Sequence, residues 1–528
     1  MGMADVATVL FAKALKFDAS DPSWPDRDRF VLSAGHGSML LYSLLYLTGF
    51  QSITLDDIKN FRKLGSPSAG HPEFGHAAGI ETTTGPLGQG VGNAVGMALA
   101  ERLLNARYGD ELVNHHTYVI AGDGDLMEGI SHEAISFAGH LRLNKLVLLF
   151  DNNSISIDGA TDLSVSDDQL ARFKASGWDV SAVDGHDPEA VETAIAAAHK
   201  SSCPSLIACK TIIGYGAPNK AGMSSAHGAP LGEDEIAGAR DQLGWSWPPF
   251  EIPNEILLNW RKVGSQNCTE RERWVSRLAA KSEHERSEFN AAVNGDLPDR
   301  WADVINEHKK NLSEEAPGWA TRKASGEVLE ALNSIIPELV GGSADLTGSN
   351  NTKTKGAEVT APGQYHGRYI HYGVREFGMG AIMNGLALHG GVIPYGGTFL
   401  IFADYMRPAI RLSALIKQRV IYVLSHDSIG LGEDGPTHQP VETLASLRAI
   451  PGLNVYRPAD AVEAAECWAL ALASHEAPSV IALTRQGVPT VRIQHTSENL
   501  SAKGAYVCLL YTSPSPRDLS TSRMPSSA

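Results

Sequence analysis

Two stretches of the chain alternate short unbroken apolar runs with segments of helical period, and a stretch of different character lies between them. Residues 117–121 (TYVIA) and 146–150 (LVLLF) are apolar throughout and of strand length. They predict buried parallel strands, which are covered on both faces and so show no alternation. Residues 130–142 carry a helical period and predict the crossover helix of a βαβ unit. Residues 205–213 predict a further strand. The same alternation returns after residue 319, with strands expected at 420–425 and 479–484 and helices at 441–449 and 460–474. Residues 246–318 open on Trp-Pro-Pro-Phe and continue as charged helical sequence, which predicts a long helical linker. The fold class expected is α/β. Two domains, 1–245 and 319–490, are each a mostly parallel sheet flanked by helices. No short internal repeat is present.

Composition adds little to the class and more to the partners. The 528 residues are 43% hydrophobic and 20% charged, ordinary values for a globular chain. Length alone suggests about three domains, but two domains and a linker account for it. Lys+Arg 44 against Asp+Glu 60 gives a net charge of −16. That balance leaves no electrostatic footprint for nucleic acid or an anionic membrane. No apolar run reaches the length of a membrane span, and the first residues lack a signal-peptide pattern. Cys203, Cys209, Cys268, Cys467 and Cys508 show no CxxC spacing. They read as reduced thiols of a cytoplasmic protein. Residues 508–528 are rich in Ser and Pro and are expected to be a disordered tail. Their wording also resembles a translated cloning adaptor, so they are read as non-native.

Chemistry enters where the predicted strands end. Ala121-Gly-Asp-Gly-Asp-Leu-Met-Glu-Gly129 follows the first of them and Asp151-Asn-Asn153 follows the second. Asp123 and Asn153 therefore fall at the carboxyl ends of adjacent parallel strands, where open α/β sheets bind ligands. Glycines beside Asp123 admit an anion close to the backbone. A carboxylate, an amide oxygen and a main-chain carbonyl are hard ligands suited to Mg²⁺ or Ca²⁺ carrying a diphosphate. Gly88, Gly90, Gly92 and Gly96 stand before a helical run, but they do not spell G-x-G-x-x-G and no convincing strand precedes them. His36, His71, His227 and His438 all lie in Gly/Pro-bounded loops. Near-neutral imidazoles there suit proton transfer at sugar hydroxyls.

The GDG…NN spacing resembles the thiamine diphosphate fingerprint, and longer strings resemble the transketolase family over residues 1–507. They are Asp26-Arg-Asp-Arg-Phe-Val-Leu-Ser-Ala-Gly-His-Gly-Ser38, Gly70-His-Pro-Glu73, Glu81-Thr-Thr-Thr-Gly-Pro-Leu-Gly-Gln-Gly90, Ser225-Ala-His-Gly-Ala-Pro-Leu231 and Gly432-Glu-Asp-Gly-Pro-Thr-His-Gln-Pro440. The resemblance implies transfer of a two-carbon ketol unit from a ketose phosphate to an aldose phosphate, in the pentose phosphate pathway or Calvin cycle. Thiamine diphosphate and a divalent cation would be the cofactors. It assigns the cation to Asp123, Asn153 and Ile155, and cofactor contacts to Gly85, Leu87, Gly124 and Asp345. Glu376, in Tyr372-Gly-Val-Arg-Glu-Phe-Gly378, would hold a proton at N1′ of the aminopyrimidine. Phe399 would stack on that ring, with Phe402 and Tyr405 beside it. His36 and His227 would sit near the reacting carbon and His71 at the donor hydroxyls, with His438 as proton shuttle. Arg322, Ser349, His426 and Arg485 would cradle the phosphate, and Asp434 would read a donor hydroxyl. A homodimer with shared active sites is implied.

Two departures from the family pattern are expected to matter. The family starts earlier, with a further histidine in a Gly-His-Pro setting, and ends with a third α/β domain. Residues 491–507 read as the start of that domain, and the chain reads as a fragment cut at both ends. Dihydroxyacetone synthase would use the same residues with formaldehyde as acceptor. 1-Deoxyxylulose-5-phosphate synthase lacks this linker. A non-catalytic cofactor-binding relative acting as an assembly or regulatory partner would be expected to have lost some of Asp123, Asn153, Glu376 and His438, and all four are intact; an inactive fragment that retains the cofactor-binding residues is the other alternative.

Overall fold

The computed structural model describes residues 1–508, so the tail expected over 508–528 lies, Cys508 apart, outside the described residues. The first sheet contains β1 (Arg29–Leu32), β2 (Thr117–Gly122), β3 (Leu146–Asn152), β4 (Asp179–Asp184) and β5 (Ser205–Lys210) in the order β1-β2-β3-β5-β4. The second contains β6 (Leu339–Ser343), β7 (Tyr369–His371), β8 (Ile393–Phe399), β9 (Ile421–Ser425), β10 (Asn454–Tyr456) and β11 (Ser479–Leu483) in the order β10-β11-β9-β8-β6-β7. Every ladder in both sheets is parallel. The apolar runs became the central strands, buried along nearly their whole length. The crossover helix runs Gly129–Leu141. The strand expected to reach residue 213 stops at Lys210, where the Thr211 hydroxyl turns to donate to the Asp151 carboxylate.

The glycine series read as preceding a helix lies mostly inside one. Gly90, Gly92 and Gly96 belong to the Gln89–Tyr108 helix, and only Gly88 caps it. Interior glycine costs about 1 kcal/mol against alanine, and here it permits contact between backbones. The helix lies against the Glu376–His389 helix of the second domain. A Cβ on Gly96 would fall 2.1 Å from the Ile382 carbonyl oxygen, and one on Gly385 would fall 2.0 Å from that of Asn93. Around this contact Val91, Val95 and Ala98 share a core with Met379, Ile382 and Leu386, and that core runs through both domains.

Polar contacts close the same junction. His389 Nδ1 lies 2.9 Å from the Gly390 carbonyl, which can only accept, so Nδ1 carries the proton. Its Nε2 lies 2.8 Å from Nε2 of His115 in the first domain, whose Nδ1 faces the Asp26 carboxylate at 3.1 Å. Arg107 donates to Glu338 at 2.9 Å, and the Tyr365 hydroxyl to the Leu141 carbonyl at 2.7 Å.

The segment between the sheets is helical, with helices at Asn254–Ser265, Cys268–Ala280, Glu283–Asn294 and Trp301–Glu315. It docks through Trp274 and Phe289, buried with Trp24, Leu104 and Leu112, and the Trp274 indole donates to the Leu112 carbonyl at 2.9 Å. Residues 491–507 are anchored by Glu466. This buried carboxylate accepts from Arg492 at 2.7 and 2.9 Å and from Ser501 N at 3.0 Å, and pairs with Lys309 at 2.8 Å. No helix among the described residues is long and apolar enough to cross a membrane.

The interhelix contact predicts a sharp asymmetry between glycines. Gly96→Ala should destabilise by about 1–3 kcal/mol or more, because a rigid backbone faces the new methyl. Gly129→Ala, whose Cβ would meet open space, should stay within about 0.5 kcal/mol. Urea or thermal unfolding of the two variants measures the difference.

Candidate active site

The residues singled out from the sequence gather in two groups at the carboxyl ends of the two sheets. In the first, β2 and β3 are neighbours with Gly122 in register with Asp151, so Asp123 and Asn153 leave adjacent strand ends together. Asp123 is partly buried and its Oδ2 has no hydrogen-bond partner. Burial, and then the nearby charge of Asp151, push its carboxyl up to about 6. A cation would relieve both penalties. Asn153 Oδ1 accepts from the Ile155 amide at 3.0 Å. Between them Ser154 takes a left-handed conformation, φ +63°, which bends the three residues into one turn.

Across from this turn stands the loop before the Gln89–Tyr108 helix. Gly85 has φ +130°, and a Cβ there would press on the His71 ring at 3.1 Å. A Cβ on Gly124 would fall 2.9 Å from Leu87 Cδ1. These glycines let the loop pack closely on His71 and on the Asp123 turn. His36 stacks on His227 with ring centroids 4.8 Å apart. Burial, then His227 and His71, hold His36 down at about 4, although part of the residue stays open to solvent. His227 is also lowered by burial, and its buried Nδ1 has no partner.

The second group surrounds the ends of β8 and β9. Glu376 is the first residue of its helix and is 8% exposed, not the surface residue that a helix N-terminal turn would ordinarily carry. Burial raises its carboxyl pKa, and Thr398 donates to Oε1 at 3.3 Å. Phe399, Phe402 and Tyr405 span a strand end, a 3₁₀ turn and a helix start, so their spacing is not a helical stripe. Phe399 and Phe402 stack at 5.7 Å, and Phe402 meets Tyr405 at 6.0 Å. Phe399 also lies 3.8 Å from the His426 ring, and His438 lies 5.3 Å from Phe402. His426 is buried in a left-handed conformation, φ +62°. Burial, then the charges of Arg322 and Arg485, hold it down at about 4. Asp434 and His438 bear on the same ring electrostatically. Arg322 donates to the Ser349 carbonyl at 2.9 Å, and Arg485 is paired with Glu433. Asp345, also left-handed at φ +61°, follows β6 and is exposed.

No hydrogen bond, ion pair or ring contact among the described residues joins a member of the first group to one of the second within the chain. Three neighbours were not singled out from the sequence. Glu133 accepts from the Gly378 amide at 2.6 Å, and burial, with Glu376's charge added, raises its pKa. Asn350 is fully buried and ties three strand ends together. It donates to the Thr398 carbonyl at 2.9 Å and Ser425 Oγ at 2.7 Å, and accepts from Ser343 Oγ at 3.0 Å. Asp125 is the third, buried beneath the Asp123 turn. Each looks like an ordinary polar residue in sequence. The signal for Asp125 was its place two residues after Asp123 within the glycine turn.

Residues 1–298 match the family described as "Transketolase, thiamine diphosphate binding domain", and residues 318–490 the one described as "Transketolase, pyrimidine binding domain". A transketolase of Cereibacter sphaeroides is 60% identical over 510 residues, covering 96% of this chain and 77% of that protein. One of Rhodobacter capsulatus is 57% identical over 507 residues, covering 96% and 75%. Among solved structures, transketolase from Leishmania mexicana superposes with a TM-score of 0.89 at 44% identity, covering 93% of this chain and 73% of that one. The Pichia stipitis transketolase complexed with sedoheptulose 7-phosphate gives 0.88 at 43%, covering 92% and 74%. Two matched modules in the same order as the two sheets, and identity this high along nearly the whole chain, show that the chain belongs to the transketolase family of thiamine diphosphate-dependent transferases.

Proposed function

We propose that the chain transfers a two-carbon ketol unit from a ketose phosphate, such as xylulose 5-phosphate, to an aldose phosphate, such as ribose 5-phosphate or erythrose 4-phosphate. The observation that carries the reading is the buried, unpartnered carboxylate oxygen of Asp123 in the turn that leaves the carboxyl end of β2 beside that of β3. It fits a divalent cation, Mg²⁺ by hardness, held by Asp123, Asn153 and the Ile155 carbonyl. No group of three or more His, Cys, Asp or Glu that could hold a metal occurs among the described residues. A single carboxylate leaves coordination positions for diphosphate oxygens. Thiamine diphosphate, when bound, supplies a thiazolium that stabilises a carbanion.

The remaining work belongs to the protein. Gly85, Leu87 and Gly124 receive the diphosphate end. Glu376, its pKa raised by burial, keeps a proton for N1′ of the aminopyrimidine. Phe399 stacks on that ring, with Phe402 and Tyr405 closing around it, and Asp345 contacts the cofactor from the end of β6. His438 moves the proton of the donor hydroxyl during C–C cleavage. His36, held at about 4, is neutral at physiological pH and with His71 and His227 orients the donor hydroxyls. Arg322, Ser349, His426 and Arg485 hold the phosphate, and Asp434 reads a donor hydroxyl.

The two groups serve one cofactor if they come from different chains, so we place the active site across a homodimer. Support comes from their separation within one chain. It comes also from exposed apolar side chains that neighbour both groups in sequence: Ile157, Leu163 and Met223 for the first, Val374, Ile429 and Val441 for the second. Five free cysteines support a cytoplasmic setting.

Asp123→Ala is expected to abolish Mg²⁺-dependent binding of thiamine diphosphate, read by titration calorimetry. Unchanged affinity removes the cation from this turn. Arg485→Ala should raise KM for phosphorylated sugars about tenfold or more, as loss of a charge-assisted bond of about 1.5–3 kcal/mol requires, and change KM for unphosphorylated ones little. Equal effects on both would take Arg485 out of the cradle. Co-expressed Asp123→Ala and Glu376→Gln chains, each inactive alone, should regain partial activity in a ketol-transfer assay, because one site of each mixed dimer carries neither defect. Mixed dimers without recovered activity would mean that each site is built within one chain.

A further inference from the structure

We propose that Asp125 is the positioning residue of the diphosphate–cation half of the site, setting the spacing of its three loops without touching cofactor or substrate. The inference rests on the reading that Asp123 and Asn153 hold a cation. Asp125 is 0% exposed, so its role is indirect. Its carboxylate collects donors from three separate segments. Oδ1 accepts from Ser33 Oγ at 2.6 Å and from the Gly88 amide at 2.8 Å, and Oδ2 accepts from the Gly122 amide at 3.0 Å.

Each donor opens a segment of the site. Ser33 follows β1 and leads into the turn that carries His36. Gly88, at φ +79°, closes the loop that carries Gly85 and Leu87. Gly122 ends β2 and precedes Asp123. A fourth bond, from Ser131 Oγ to the Asp125 main-chain carbonyl, ties the same turn to the Gly129–Leu141 helix. The space around the knot is already closed. A Cβ on Gly90 would fall 2.6 Å from Ser33 Oγ, and one on Gly88 would fall 2.6 Å from Ile130 Cγ2. The three loops therefore cannot settle closer by themselves, and the carboxylate is the one group bonded to all three, beside the Ser33 N–Ile120 and Thr84 Oγ1–Leu32 bonds that join them in pairs. The geometry needs an acceptor on both oxygens, because two of the three donors are backbone amides that cannot rotate away. Asparagine offers one acceptor and sets an N–H against one of those amides.

The test is Asp125→Asn in the full chain, read as the dissociation constant for Mg²⁺–thiamine diphosphate from tryptophan quenching, beside the melting temperature of the unliganded protein. The expected result is a rise in the dissociation constant of about tenfold or more at a temperature where the variant is fully folded. A variant that melts lower but binds with unchanged affinity would overturn the proposal, because its role would then be structural only. Asp123→Ala runs alongside. If it also binds unchanged, the cation assignment fails. If it loses binding while Asp125→Asn keeps it, the positioning role alone fails. Should Asp125→Asn not fold, Ser33→Ala removes one donor and leaves the other two. It should weaken cofactor affinity in the same direction by a smaller factor, and unchanged affinity there overturns the proposal.

Discussion

The Gln89–Tyr108 and Glu376–His389 helices meet backbone to backbone, and both halves of the site are hung on that contact. The first helix starts directly after Gly85, Leu87 and Gly88. The second starts with Glu376 itself. Gly96 and Gly385 leave no room for even a methyl group between the two helix backbones, so the helices cannot slide without opening the shared core around Val95 and Ile382. Helix N-termini point unpaired amides at whatever lies before them. Locking the two helices thus fixes where two sets of loops begin, one from each domain.

Beyond that contact, the site holds its chemistry in tension with its surroundings. Ser154, Asp345 and His426 are non-glycine residues with positive φ, each just past a strand end. Such conformations persist only where neighbours over-determine them. For the second sheet Asn350 is such a neighbour, joining the ends of β6, β8 and β9 through three hydrogen bonds. The electrostatics follow the same logic. Burial raises Asp123 and Glu376 and lowers His36 and His426. The carboxyls are thereby primed for a cation or a proton, and the imidazoles are held neutral, His36 beside two other histidines and His426 beside Arg322 and Arg485.

Much of this was legible along the chain, for reasons that differ by element. Central strands such as β3 and β11 are covered on both faces, so their apolar runs are unbroken and their ends were readable to within two residues. Strands without such runs went unread: β4 (DVSAVD) is partly exposed, and β7 and β10 have three residues each. The Gly90–Gly96 series was misread as a lead-in because a glycine-rich segment has poor helix propensity. Only the facing Glu376–His389 helix makes glycine the residue that fits there.

The sequence by itself determined the fold class, the family and the candidate site residues, because each of these is carried by local strings: apolar runs, GDG followed by Asn153, and the loops around His36, His71, His227 and His438. The tertiary structure decided what depends on residues distant in sequence. It buried Glu376 against Thr398 and set Glu133 opposite it. It converged Ser33, Gly88 and Gly122 on Asp125. It left Asp123 Oδ2 without a partner. Burial and desolvation arise only when separate segments close over a group, and no pattern within one segment records which others will do so.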